Sequence, residues 1–252
     1  RTFIGDGLAG ITGAINIIGF ESDEERIAPK YKRKTDQFYS ERLILPKPYY
    51  FEFDRTRYFF EQVLKHPVDL AGPHFPEKKT GKHGVTLFLG AGNTKRGWQT
   101  ENFLQLMELI MGETQQPIHL VGGPEAEESA AYLQSIFPED SVINLVGKTT
   151  LPQLIDHIAR TGLVICNETS AVHIAAACGT KAVCILGGGH FERFAPYPEH
   201  VYSRTVFVFE KMPCYYCNWL CIFDTPPTEP FPCVANVTLA KVWQATQQLL
   251  NS

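Results

Sequence analysis

Apolar and polar positions along the second two thirds of this chain fall into blocks whose period switches back and forth. Residues 162 to 189 show the switch most compactly. Leu163, Val164 and Ile165 make a β-branched apolar run that stops at a polar knot, Asn167-Glu168-Thr169-Ser170. A small-residue helix is predicted next, with His173 in its first turn. A second apolar run, residues 181 to 186, closes in Gly187-Gly188-Gly189. Strand, helix and strand in so short a span predict a βαβ unit, and therefore a parallel sheet with a right-handed crossover.

The same alternation extends upstream. Residues 85 to 92 predict a strand ending in Gly-Ala-Gly, and residues 100 to 111 a helix with Phe103, Leu106, Met107 and Ile110 on one face. Strands are predicted over 117 to 123 and 141 to 147, around a helix that Pro124 opens. Thr150 caps a helix whose Leu151, Leu154, Ile155 and Ile158 follow the i, i+3, i+4, i+7 rule. A strand over 202 to 209 and an amphipathic helix over 239 to 250 end the chain, and the whole reads as an α/β, doubly wound domain.

The first part is less regular. A helix and a short strand are expected within residues 1 to 20, the charged run 21 to 34 reads as a solvated loop, and residues 56 to 65 predict a helix. Three prolines and three glycines between Lys65 and Gly84 mark a domain boundary near residue 80. The expected domains are 1–80 and 81–252.

With 252 residues the chain can bury one large core or two modest ones. Its 23 basic and 27 acidic residues leave a net charge of −4, which argues against nucleic acid as a partner and points to a small ligand. No apolar run is long enough to span a bilayer and the first residues lack the marks of a leader, so the chain reads as soluble.

Ligands of open parallel sheets bind at the carboxyl ends of the strands, where helix N-termini offer unpaired N–H groups to phosphate. Thr169, Ser170, Gly187 and Gly188 lie at such ends, as do Lys95 and Arg96 in the loop after the first strand of the α/β region. Lysine offers a point charge to phosphate oxygens and arginine a fork. Each feature also has a plain alternative as cap, turn or solvated charge. Glu127, near the end of the next strand, is the choice for a carboxylate that accepts from sugar hydroxyls, although acids in a first turn also suit the helix dipole. Neither the P-loop nor a complete GxGxxG fingerprint is present.

Taken in order, GAG followed by Lys95 and Trp98, the strand ending in GGPE, the turn GKTTL at 147 to 151, the run Asn167-Glu168-Thr169-Ser170-x-x-His173-Ile174-Ala175-Ala176 and the glycine-rich close resemble the donor-binding half of glycosyltransferase family 9, the heptosyltransferase family. The resemblance implies a GT-B architecture, two Rossmann-like domains across a cleft, and an inverting transfer of a sugar, typically heptose from ADP-heptose, to a lipopolysaccharide-core-type acceptor. Residues 81–252 would then be the nucleotide-sugar donor domain and 1–80 the remainder of the acceptor domain. By motif, Lys95 would bind donor phosphate, Glu127 would approach the adenosine or ribose, and Glu168, Thr169, Ser170 and His173 would hold the sugar and diphosphate. The resemblance implies partners in a nucleotide-sugar donor and a saccharide or lipid-linked saccharide acceptor, no required cofactor, and a cytoplasmic place at the inner face of a bacterial membrane. Glu168 stands where the family commonly has Asp. The family's general base, an Asp from the first strands of the acceptor domain, has no counterpart here.

Seven cysteines complete the inventory. Cys166, Cys178 and Cys184 fall in the predicted core. The segment with Cys214, Cys217, Cys221 and Cys233 is compatible with a structural zinc, with two disulfides, or with reduced, half-buried thiols, the reading preferred here. Besides a transferase, a non-catalytic donor-binding remnant or a GT-B-like nucleotide-sugar epimerase would carry the same phosphate-binding edge.

Overall fold

The structure, a computed structural model, describes residues 3–22, 28–47, 49–69, 72–75, 83–138, 140–201 and 203–252. It divides into two compact units, Arg1–Leu70 and Ala71–Ser252. The boundary expected near residue 80 falls among residues 76–82, outside the described residues.

In the first unit α1 (Phe3–Ile11) leads to β1 (Ile18–Phe20), as expected. The charged run then departs from the sequence reading. Residues 23–27 lie outside the described set, but Pro29–Thr35 is a helix, α2, and not a loop. Pro29 has the φ a first turn needs, Lys32, Arg33 and Lys34 oppose the negative end of the dipole, and Lys32 pairs with Glu21 at 2.9 Å. β2 (Glu41–Leu43) pairs in parallel with β1, and α3 (Glu52–Leu64) begins four residues before the expected start and stops at Lys65 in the left-handed region.

The second unit alternates as its hydrophobic pattern requires. β3 (His83–Phe88), α4 (Thr100–Glu113), β4 (Ile118–Val121), α5 (Glu127–Ile136), β5 (Val142–Asn144), α6 (Leu151–Arg160), β6 (Thr161–Asn167), α7 (Ser170–Ala177), β7 (Lys181–Ile185) and β8 (Thr205–Val208) follow in order. The turn α8 (Pro232–Ala235) and the helix α9 (Leu239–Leu250) end the unit.

All six strands from β3 to β8 are parallel, in the order β5-β4-β3-β6-β7-β8. Both faces of the sheet are covered, which is why the strand runs are nearly continuous in apolar residues. Along β6, Leu163 and Ile165 join the larger core with Phe103, Leu106 and Ile110 of α4, while Val164 and Cys166 join the core that α7 covers. Each side chain removed from water contributes roughly 1.5–3 kcal/mol.

One polar cluster sits within this packing. Thr86 Oγ1 lies 2.9 Å from His157 Nε2 and 2.8 Å from Thr161 Oγ1, and the rings of His119 and His157 meet edge-on at 4.9 Å. Burial, with the neighbouring His119 adding to it, brings the His157 imidazole down to about 4.

The order of strands reverses between β3 and β6. Their carboxyl ends therefore open onto a crevice that no crossover helix covers, the usual ligand position in such sheets.

Candidate functional site

Asn167, the last residue of β6, ties this crevice together. Its side chain is fully buried, donates from Nδ2 to the carbonyls of Leu89 (3.1 Å) and Gly90 (3.3 Å), and accepts the backbone N–H of Trp98 at 2.9 Å. Three bonds across the switch point thus lock the loop that carries Lys95 and Arg96 to the strand that carries Glu168. Trp98, itself buried, donates its indole N–H to the carbonyl of Val237 at 2.8 Å and anchors the far end of the same loop.

Beside this lock lies a cavity of about 350 Å³, lined by the loop after β3, the start of α4, Glu125, Ser129, Thr228 and Pro230. The Glu125 carboxylate rests against Gly90 and Gly123 so closely that a Cβ at either would collide with it. The glycines of GAG and GGPE therefore make room for this acid. Glu127 is exposed in the first turn of α5 and touches the turn at Gly147, its Oε1 3.0 Å from where a Cβ would stand. The structure thus brings Glu125, and not Glu127, into the wall of the cavity.

Lys95 and Arg96 occupy a short 3-10 turn that Asn93 caps. The Lys95 ammonium donates to the Thr225 carbonyl at 2.6 Å and approaches Thr225 Oγ1 at 3.2 Å, and it stands 5.7 Å from the centre of the Phe231 ring. An ammonium carries three protons, and these contacts engage two of them. Arg96 lies 4.9 Å over the ring of Trp219, and its Nε is buried with no hydrogen-bond partner among the described residues.

Glu168 follows β6 directly. One oxygen, Oε2, is buried and has no hydrogen-bond partner among the described residues. Burial raises this carboxyl to about 7, and the Arg96 charge opposes part of that rise. Thr169 caps α7 by accepting the N–H of Ala171 at 3.3 Å, and Ser170 is exposed at the first helical position. His173 turns to the Tyr197 hydroxyl, 2.7 Å from Nδ1, and burial lowers its imidazole below the usual range.

Gly187, Gly188 and Gly189 are buried beneath the cysteine segment, with the Trp219 ring over Gly187 and Gly189 and the Tyr215 ring over Gly188. Three non-glycine residues here, Tyr216, Asn218 and Trp219, hold left-handed φ of 70°, 52° and 63°. Such backbone persists only where surrounding packing dictates it. Cys214, Cys217, Cys221 and Cys233 line one small apolar hollow as free thiols. Among the described residues no three or more His, Cys, Asp or Glu side chains are arranged to hold a metal ion.

The structure therefore brings Lys95, Arg96, Glu168, Thr169 and Ser170 to one edge and joins Gly187 to them through Trp219. It turns Glu127 and His173 to other neighbours. Sequence reasoning missed Glu125, Asn167 and Trp219 as site residues. Only Asn167 left a usable signal, a polar residue ending an apolar strand.

A doubly wound parallel domain with its polar side chains gathered at the switch point is Rossmann-like in class. Comparison with known proteins narrows this: the family model for glycosyltransferase family 9 (heptosyltransferase) matches residues 8–217, and the chain belongs to that family. It is 25% identical over 234 residues to lipooligosaccharide heptosyltransferase 2 of Campylobacter jejuni subsp. jejuni serotype O:2, covering 83% of this chain and 70% of the relative. A protein of the same name from Haemophilus influenzae is 28% identical over 120 residues, 44% of this chain and 34% of the relative. Among solved structures, E. coli heptosyltransferase WaaC with ADP matches with a TM-score of 0.61 at 17% identity, over 86% of this chain and 62% of that one. The fold is thus the α/β fold of GT-B-type proteins. The chain spans about a third of the Haemophilus relative and less than two thirds of WaaC. Among the described residues no helix is long and apolar enough to cross a membrane.

Proposed function

We propose that residues 81–252 form the donor-binding part of a glycosyltransferase that moves a sugar, heptose from ADP-heptose, onto a saccharide of the lipopolysaccharide core. The reading rests first on one observation, the Asn167 lock, which holds the loop of Lys95 and Arg96 to the strand end that Glu168 follows, beside a cavity large enough for a nucleoside. Family membership supports the reaction class, and the relatives' names and the ADP in WaaC support the donor and acceptor.

In this reading the nucleoside enters the cavity, with Glu125 accepting from ribose hydroxyls. The diphosphate lies between the Lys95-Arg96 turn and the first N–H groups of α7, and Glu168 faces the sugar. The acceptor hydroxyl attacks the anomeric carbon, its proton goes to a base outside these residues, and the bond to the diphosphate breaks with inversion. Charge then grows on the departing ADP, where Lys95, Arg96 and the helix N-terminus oppose it. Residues 1–80 belong to the acceptor side, and the enzyme works in the cytoplasm against a membrane-borne saccharide.

Calorimetric titration with ADP, UDP and GDP tests the donor assignment. ADP is expected to bind most tightly, with about tenfold or greater loss in Arg96→Ala and in Glu125→Ala. Equal binding of all three nucleotides, or ADP affinity unchanged in both variants, would sink it.

A further inference from the structure

The cysteine segment and the three glycines after β7 meet at one aromatic ring. The indole of Trp219 lies over Gly187, its nearest atom 2.6 Å from where a Cβ would stand, and closer still over Gly189. Its Nε1–H donates to His190 Nδ1 at 3.2 Å, and His190 Nε2 lies 2.7 Å from Asn218 Oδ1. An amide oxygen only accepts, so the imidazole carries its proton on Nε2 and keeps Nδ1 as an acceptor for the indole. Phe231 stacks with the same indole at 5.9 Å, and the Arg96 guanidinium stands over it at 4.9 Å. Arg96 Nε and Glu168 Oε2, a donor and an acceptor whose charges act on one another, are both buried without hydrogen-bond partners among the described residues.

We propose that Trp219, set by His190, is the positioning residue that fixes the Arg96 guanidinium opposite Glu168, leaving that donor and acceptor to a ligand that offers both an anion and hydroxyl groups. For the ligand, the diphosphate and sugar of a nucleotide sugar, this rests on the reading above; for the positioning it rests on geometry alone. A guanidinium on an aromatic face gains cation–π attraction and gives up side-chain freedom before any ligand arrives, so less is lost on binding. The glycines are part of the device, because a side chain at Gly187 or Gly189 would occupy the place of the ring.

The test follows the Glu168 carboxyl by carbon NMR across pH in the full chain labelled at glutamate side chains, its signal assigned by its loss in Glu168→Gln. Arg96 holds this titration down, and the carboxyl in turn acts on the buried Cys184 thiol. Trp219→Leu is expected to move the midpoint up by about half a pH unit or more, Arg96→Gln to do the same, and the double variant to add nothing further. Trp219→Phe, which keeps an aromatic face, should move it less than Trp219→Leu, and His190→Phe, which removes the acceptor for the indole N–H, should move it in the same direction. A midpoint that shifts in Arg96→Gln but stays put in Trp219→Leu overturns the positioning role. If Trp219→Leu does not fold, an unmoved midpoint in both folded variants, Trp219→Phe and His190→Phe, overturns it equally. ADP titration of the same proteins separates the two claims: about tenfold weaker binding in Trp219→Leu, not additive with Arg96→Gln, supports both. Absence of ADP binding to the unsubstituted chain defeats the donor reading while the carboxyl titration still decides the positioning.

Discussion

Glu168 and His157 are placed so that their effects on stability oppose one another. Burial raises the Glu168 carboxyl from 4.5 to about 7, so between those values the folded chain holds a proton that the unfolded chain has released, and stability falls as pH rises. His157 is lowered from 6.5 to about 4, so the unfolded chain holds the extra proton over that window, and stability is lost as pH falls. The Glu168 contribution reaches roughly 3 kcal/mol at most, that of the half-exposed His157 is smaller because solvent screens it, and in the shared window the two slopes oppose one another. Glu168→Gln removes only the first. Urea unfolding should find that variant more stable by about 1–3 kcal/mol at pH 8, level with the parent near pH 4.5, and more steeply destabilised by acid between pH 6.5 and 4.5. Equal stability of parent and variant at pH 8 would contradict the burial assigned to this carboxyl. A side chain kept at such a cost at a strand end fits a role toward a ligand better than one in folding.

The glycines show how elements decide what a residue means. Gly189 and Gly92 both flank the candidate site, yet an added Cβ at Gly189 meets the Trp219 indole, whereas at Gly92 nothing lies within 4 Å. Gly189→Ala is expected to lower stability by about 1–3 kcal/mol, because the ring must leave its seat between β7 and α8. Gly92→Ala should be neutral or stabilising by roughly 0.4–1 kcal/mol, since it mainly restricts the unfolded chain. Urea midpoints of the two variants check the contrast, and a similar midpoint in both would mean that the cysteine segment does not sit on the glycines. The turn at 216 to 219, with its three left-handed residues, belongs to the same argument: the aromatic contacts hold a backbone that the residues would not choose alone.

Across the whole molecule, all seven cysteines fall in one unit, and burial decides which of them can react. In the unit Ala71–Ser252, Cys166 and Cys184 sit within the sheet and Cys233 is buried beneath the cysteine segment, while Cys214, Cys217 and Cys221 are half-buried. Burial raises the Cys233 thiol and holds that of Cys184 well above the ordinary range, which withholds the reactive thiolate at neutral pH. Cys178, expected in the core, is likewise half-buried at the end of α7, so a thiol reagent should label Cys178, Cys214, Cys217 and Cys221 in the native protein within minutes, and Cys166, Cys184 and Cys233 only at the rate of global unfolding. Mass spectrometry of timed samples reads this directly. Protection of all four cysteines of the segment, relieved by a chelator or a reductant, would point to a metal or a disulfide instead.

The order of strands and helices from β3 to β8, and α9, was legible in the chain because hydrophobic period is a local property: Leu163-Val164-Ile165 is a short β-branched run bounded by turn residues, and Phe103, Leu106, Met107 and Ile110 form one face of a helix, whereas the short α8 left no such period. The family was legible for a related reason, since GAG, GGPE and the Asn167-Glu168-Thr169 run keep their spacing along the chain. The charged run 21 to 34 misled, because like-spaced charges read as solvated, whereas the helix within it gains ion pairs of Lys32 with Glu21 at the run's start and with Asp36 beyond its end. What no spacing could reveal was partnership at a distance. Glu125 and Glu127 are indistinguishable two residues apart, and only the seat of the first carboxylate against Gly90 and Gly123 turns it into the cavity wall. Arg96 and Trp219 are separated by more than a hundred residues, and only the fold stacks them. Local pattern determines which elements form, because hydrogen bonding and apolar periodicity act between near neighbours; the site belongs to tertiary structure, because charge, burial and stacking act between whatever the sheet brings together.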